Sequence, residues 1–102
     1  MTPTWKVVLS QEARADIRAF EKSDIALILK GLDKLETEPL LRGHSLKGNL
    51  GQFRSLVVGN RKIRVIYEVI NDEVLVYVIA IGHRRDDEVY VLASRRLDPK
   101  WR

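Results

Sequence analysis

One stretch of the chain decides the fold: Phe53-Arg-Ser-Leu-Val-Val58, then Gly59-Asn60, Arg61-Lys-Ile-Arg-Val-Ile-Tyr-Glu-Val69, Asn71-Asp72 and Val74-Leu-Val-Tyr-Val-Ile-Ala-Ile81. Three runs rich in β-branched and aromatic residues are separated by two short turn signals. That spacing predicts three strands joined as an antiparallel meander. In the middle run Ile63, Val65, Tyr67 and Val69 fall on one face, and Lys62, Arg64, Ile66 and Glu68 on the other. One face is expected to be buried and the other partly polar. Gly82 is expected to end the sheet.

Working outward toward the N-terminus, Trp5-Lys-Val-Val-Leu9 alternates as a short strand. Ser10 is placed to cap a helix carrying Ala13, Ile17 and Phe20, with Arg14 and Arg18 outside. Ser23 is expected to cap a second helix, with Ile25, Ile28, Leu29, Leu32 and Leu35 as its apolar set. Pro39 ends that helix. Two amphipathic helices with a short break form a helical hairpin over the buried sheet face. Residues 40–52 read as a loop rich in glycine and asparagine. Toward the C-terminus, Asp86 or Asp87 opens a short last helix carrying Val89, Leu92, Ala93 and Leu97. The expected order is β-α-α-β-β-β-α, an α+β fold with a mainly antiparallel four-stranded sheet, the helical hairpin on one face and a short C-terminal helix. The 102 residues suit a single domain spanning 1–102.

Composition narrows the function. No cysteine is present, so disulfides and thiolate metal sites are excluded. No run approaches the roughly 18 apolar residues of a membrane span, and the N-terminal residues lack an apolar signal core. The cytoplasm is the expected location. The formal charge of +4 is modest, but its distribution is uneven. From Pro39 to Tyr67 there is no acidic residue, while Arg42, Lys47, Arg54, Arg61, Lys62 and Arg64 fall there together with His44. A segregated positive field attracts polyanions.

Nucleotide-binding loops, zinc-protease motifs and Cys/His clusters are absent. The chain has two histidines, His44 and His83, too few to argue a metal site, and no metal or other cofactor is expected. What remains is a set of basic residues and a tyrosine. Arg64 projects from the polar face of the middle strand, and Arg54 is expected at the matching position on the strand before it. The run Gly82-His-Arg-Arg-Asp-Asp-Glu-Val-Tyr90 leaves the third strand close by. Arginine suits phosphate, because its planar fork donates two hydrogen bonds at once. RNA cleavage by the 2′-hydroxyl needs a base, an acid and positive charge on the developing phosphorane. Arg64 and Arg84 can supply the charge, and Tyr90 and His83 the proton transfer.

These motifs also carry a resemblance. Leu46-Lys-Gly-Asn-Leu50, Phe53-Arg54, Arg64-Val-Ile-Tyr-Glu68, Ile81-Gly-His-Arg-Arg-Asp86 and Val89-Tyr90 resemble, in order and spacing, the RelE/ParE toxin superfamily, and RelE-type toxins in particular. The resemblance runs from Lys6 to Leu97. It implies the toxin of a two-gene toxin–antitoxin module. Its RelE-like members are metal-independent endoribonucleases that cleave mRNA in the ribosomal A site and so inhibit translation. By position, Arg54, Arg64, Arg84 and Tyr90 look like the catalytic set. Lys47, Arg61, Lys62, His83 and Arg85 look like RNA contacts. The implied partners are an acidic, RelB-like antitoxin, the ribosome with its mRNA, and operator DNA through the antitoxin complex. One position departs: Leu56 stands where a second basic residue often follows. ParE-like members share the fold but poison DNA gyrase. A noncatalytic domain that binds antitoxin and co-represses its own promoter is a third reading.

Overall fold

The computed structural model describes residues 4–59, 62–83 and 88–96. Strand β1 (Lys6–Leu9) leads into helix α1 (Gln11–Arg18) and helix α2 (Lys22–Lys34). A two-residue strand β2 (His44–Ser45) follows, then β3 (Arg54–Val58), β4 (Ile63–Ile70), β5 (Leu75–His83) and helix α3 (Glu88–Arg95). The α+β class and the hairpin-plus-meander plan are as expected. The sheet has five strands, in the order β1-β5-β4-β3-β2, where four were expected. The extra strand lies inside the segment read as loop. His44 pairs with Ser55 and Ser45 with Arg54, a contact too short to leave an alternating pattern. β5 also runs one residue past Gly82, to His83.

Local chemistry explains the helix starts. Ser10 is buried and its Oγ accepts from Ala13 N–H at 3.0 Å, a standard N-cap. The second helix starts one residue before the expected cap, Ser23. Its N-cap is Glu21, which makes no side-chain capping bond. Here packing of Ile28, Leu32 and Leu35 on the sheet sets the helix rather than a cap.

β4 is central and apolar on both sides. Val65 and Tyr67 enter the core beneath α1 and α2, with Ile28, Leu32, Leu35, Val76 and Val78. Ile66 points the opposite way, into a second cluster with Leu50, Phe53, Ile79, Ala80, Val89 and Ala93 beneath α3. The face expected to be partly polar is thus half covered by α3. The β4–β5 register shifts at one point: Ile66 opposes Ala80 while Tyr67 opposes Val78, leaving Ile79 without an opposite residue. This is a β-bulge on β5. Ile79 and Ala80 consequently both face α3, and every later β5 side chain is flipped relative to simple alternation.

One ion pair ties the layers. Arg96, just beyond α3, donates from Nη1 to Asp16 Oδ2 at 2.7 Å and from Nη2 to Oδ1 at 3.1 Å. Its Nη1 also reaches the Ile79 carbonyl at 3.0 Å. Asp16 Oδ2 in turn accepts from Ile81 N–H at 2.9 Å. β1 pairs only with residues 75–78, so β5 has an open edge beyond it, and α1 and α3 close that edge with charge. Among the described residues no helix is long and apolar enough to cross a membrane.

Candidate functional site

The α3-covered face of the sheet gathers the chemistry. β3 pairs Ser55 with Ile66 and Val57 with Arg64, and β5 continues those rungs with Ala80 and Gly82. Directly opposed residues share a face. Ser55, Val57, Arg64 and Ile66 therefore all point toward α3. Tyr90, in the first turns of α3, brings its hydroxyl 3.4 Å from Ser55 Oγ. Arg64 stands one same-face rung along, about 7 Å of strand away. Tyr90 and Arg64, both expected in the site, meet on one surface.

α3 can sit this low because of Gly82. A Cβ at that position would lie 3.0 Å from Val89 Cβ and 3.2 Å from its Cγ2, so a side chain there would press on Val89, which would have to give by a few tenths of an ångström. Asn49 Nδ2 donates to Ser94 Oγ at 3.4 Å, and Leu50 packs beneath α3, which tethers the Lys47 loop to the same face. Lys47 itself is exposed.

Arg54 is not with Arg64. The β3–β4 register pairs Arg54 with Tyr67, on the helical-hairpin face. This corrects the expected convergence: the hairpin pairs even-numbered β3 residues with odd-numbered β4 residues, so Arg54 and Arg64 project to opposite sides. The Arg54 guanidinium is engaged there. Its Nε donates to Arg42 O at 3.0 Å, Nη2 to Gly43 O at 3.3 Å and Nη1 to Ser45 Oγ at 2.9 Å. The buried Tyr67 hydroxyl lies 2.9 Å from Pro39 O and 2.8 Å from Arg42 O, reinforcing the same turn. Burial pushes the Tyr67 phenol above the ordinary value of 10.0, and the Arg54 and Arg42 charges pull only part of the way back.

His83 is also displaced from its expected role. The bulge turns it to the α1 side, where its ring lies 4.8 Å from that of Phe20 at a 43° tilt. Lys62 is exposed at the β3–β4 turn, its N–H closing onto Gly59 O at 3.0 Å. Arg61, Arg84 and Arg85, named from the sequence, lie outside the described residues, as do Asp86 and Asp87. Two polar residues on the Tyr90 face were not singled out as site residues: Ser55, which reads as one more alternating strand residue, and His44, which falls in an apparent loop. Their pairing across β2 and β3 is the only signal that joins them. Among the described residues no three histidine, aspartate or glutamate side chains gather where they could hold a metal ion.

Chemically, the surface offers a phenol beside a hydroxyl, an arginine one rung away and an exposed lysine in the adjoining loop, a set suited to a phosphate diester. Residues 7–88 match the family described as ParE toxin of type II toxin-antitoxin system, parDE. A RelE-like toxin protein of Escherichia coli is 25% identical over 93 residues, covering 91% of this chain and 97% of that one. A free-state variant of the E. coli RelE toxin superposes with a TM-score of 0.77 at 22% identity, covering 92% of this chain and 98% of that one. The toxin–antitoxin complex RelBE2 of Mycobacterium tuberculosis contains a chain with TM-score 0.75 at 23% identity, covering 84% and 98%. The two structural likenesses establish a shared fold.

Proposed function

Because the chain belongs to the ParE toxin family of type II toxin–antitoxin systems, within the RelE/ParE superfamily, we propose that it is a ribosome-dependent endoribonuclease that cleaves mRNA in the A site and so stops translation. One observation carries this reading: the Tyr90 hydroxyl lies 3.4 Å from Ser55 Oγ on the sheet face that also bears Arg64. A proton-transfer group and a phosphate-binding cation on one surface are what cleavage by the 2′-hydroxyl requires. In the reaction, the 2′-oxygen forms a bond to phosphorus as the bond from phosphorus to the 5′-oxygen breaks. The products are a 2′,3′-cyclic phosphate and a 5′-hydroxyl. Arg64 and Arg84 stabilise the phosphorane, and Tyr90 takes part in proton transfer. Lys47, Arg61, Lys62 and Arg85 hold the RNA backbone. The partners are an acidic, RelB-like antitoxin, as in the RelBE complexes that share this fold, and the mRNA-loaded ribosome of the cytoplasm.

A second reading has one support, the ParE description of the matching family over residues 7–88, a range that stops short of Tyr90. On that reading the target is DNA gyrase. Primer extension on a ribosome-bound message, run beside a gyrase supercoiling assay, separates the two. Discrete cleavage in the A-site codon, lost in Arg64→Ala and Tyr90→Phe, is the expected result. Gyrase inhibition with intact mRNA would overturn it, and inactivity in both assays with tight antitoxin binding would point to a noncatalytic co-repressor.

A further inference from the structure

Resting on the nuclease reading above, we infer that His44 is a catalytic residue of this site, the base that takes the 2′-hydroxyl proton, and that Arg54 is the positioning residue that sets it from the opposite side of the sheet. His44 pairs directly with Ser55, and Ser55 pairs with Ile66, so the imidazole projects from the same face as the Tyr90 hydroxyl. Opposed residues have Cβ atoms about 5 Å apart. Tyr90 OH is 3.4 Å from Ser55 Oγ, so Ser55 stands between the imidazole and the phenol. His44 is exposed, as a group that meets substrate must be. His83 cannot share this role, because it lies across the sheet with its ring 4.8 Å from that of Phe20.

The division of labour follows from ordinary side-chain chemistry. A phenol O–H can donate to the leaving 5′-oxygen, whereas the free nitrogen of a neutral imidazole can accept the proton of the 2′-hydroxyl. The proton balance then closes: His44 gains one, Tyr90 gives one, and solvent restores both.

A two-residue strand cannot hold a base to the tolerance catalysis needs, and Arg54 supplies the missing rigidity. Its guanidinium binds Arg42 O, Gly43 O and Ser45 Oγ, one residue or two to either side of His44. Gly43 has φ of +65°, and a Cβ there would stand 2.5 Å from Ser55 O, so β2 lies tight on β3 at this point. The sequence between Glu38 and Glu68 holds no carboxylate. Among the described residues, the charged or titratable groups on this face are Tyr90 from α3, Arg64 and the buried Glu68 from β4, each one same-face rung from Ile66, and Tyr77 of β5 opposite Glu68, with exposed Lys47 in the following loop and Arg42 and Arg54 behind. Glu88 of α3 lies with Phe20 and His83 instead.

The test is single-turnover cleavage of ribosome-bound mRNA by the full chain across pH 5–9. His44→Gln should lower the maximal rate by about 100-fold or more, leave KM for the programmed ribosome within about twofold, and abolish the acidic limb of the profile. Arg54→Ala should lower the rate without adding to the loss in His44→Gln/Arg54→Ala, and Arg54→Lys should recover part of it. Should Arg54→Ala fail to fold, Ser45→Ala removes one anchor and should give a smaller loss of the same non-additive kind. A His44→Gln variant with an unchanged rate and pH profile, beside an active wild type, would overturn the base assignment and leave the nuclease reading standing. Additive losses would make Arg54 a direct contact and overturn its positioning role. A wild type that leaves ribosome-bound mRNA intact overturns both assignments together with the nuclease reading.

Discussion

Replacing Asp16 with alanine should cost this domain about 2–3 kcal/mol. The carboxylate accepts three hydrogen bonds, two from Arg96 at 2.7 and 3.1 Å and one from Ile81 N–H at 2.9 Å. Truncation leaves a guanidinium without a counter-charge and a backbone donor at the open edge of β5 without an acceptor. Breaking a fully buried pair by removing one partner costs about 3–5 kcal/mol. The Arg96 and Asp16 side chains retain 17% and 12% exposure, so water recovers part of that and the lower figure applies. For a domain of this size, the melting temperature should fall by roughly 10–20 °C. Differential scanning calorimetry and urea unfolding measure it directly. A double-mutant cycle with Arg96→Met should return a coupling of about 1–3 kcal/mol, since the pair shares one network. A melting temperature within about 2 °C of wild type would refute the reasoning, because it would mean that the edge is satisfied without Asp16.

Gly82→Ala should shift α3 slightly, since the new methyl would meet Val89 Cβ at 3.0 Å; cleavage should drop by about threefold or more while circular dichroism stays native. Tyr67→Phe should cost about 1 kcal/mol at neutral pH by removing the phenol's bonds to Pro39 O and Arg42 O, which keep Arg42 N–H and Arg54 Nε as their remaining donors. The same variant tests linkage. Burial raises the Tyr67 phenol in the folded state, so above the ordinary value of 10.0 the unfolded chain releases a proton that the folded one keeps. Stability is thus full below about pH 10 and falls as pH rises through the folded value. Urea titrations at pH 9 to 11 should show this alkaline loss shallower in Tyr67→Phe, with the residual slope coming from Tyr77, which is raised chiefly by burial and further by Glu12. Ser10→Ala should lower stability by about 1 kcal/mol in chemical denaturation through loss of the α1 cap.

Much of the fold could be read from periodicity, because the features that set it are periodic. Ala13 and Ile17 on α1, and Val65 and Tyr67 on β4, lie where spacing puts them. The departures come from features of one or two residues. β2 is too short for a pattern, the Ile79 bulge changes parity without changing composition, and α2 starts without a capping side chain. The site divides along the same line. Arg64 and Tyr90 follow from the strand pattern and the motif order. Residue type alone sets Arg54 beside Arg64, but the hairpin register decides its side and pairs it with Tyr67. His44 has no periodic signal of its own, because only a strand pairing brings it beside Ser55.

The bulge at Ile79 makes the identity of a residue depend on how many residues precede it. Deleting that single isoleucine would leave the composition of β5 nearly untouched. It would remove the bulge and join Val78 to Ala80, so that residues 80–83 keep their present β4 partners and His83 stays opposite Ile63. The final residues of β5 are therefore assigned by counting as much as by chemistry. Keeping Ile79 but pairing it with Ile66 in simple alternation would instead exchange the faces of residues 80–83, taking the ring that packs on Phe20 to the side of the sheet that bears Arg64.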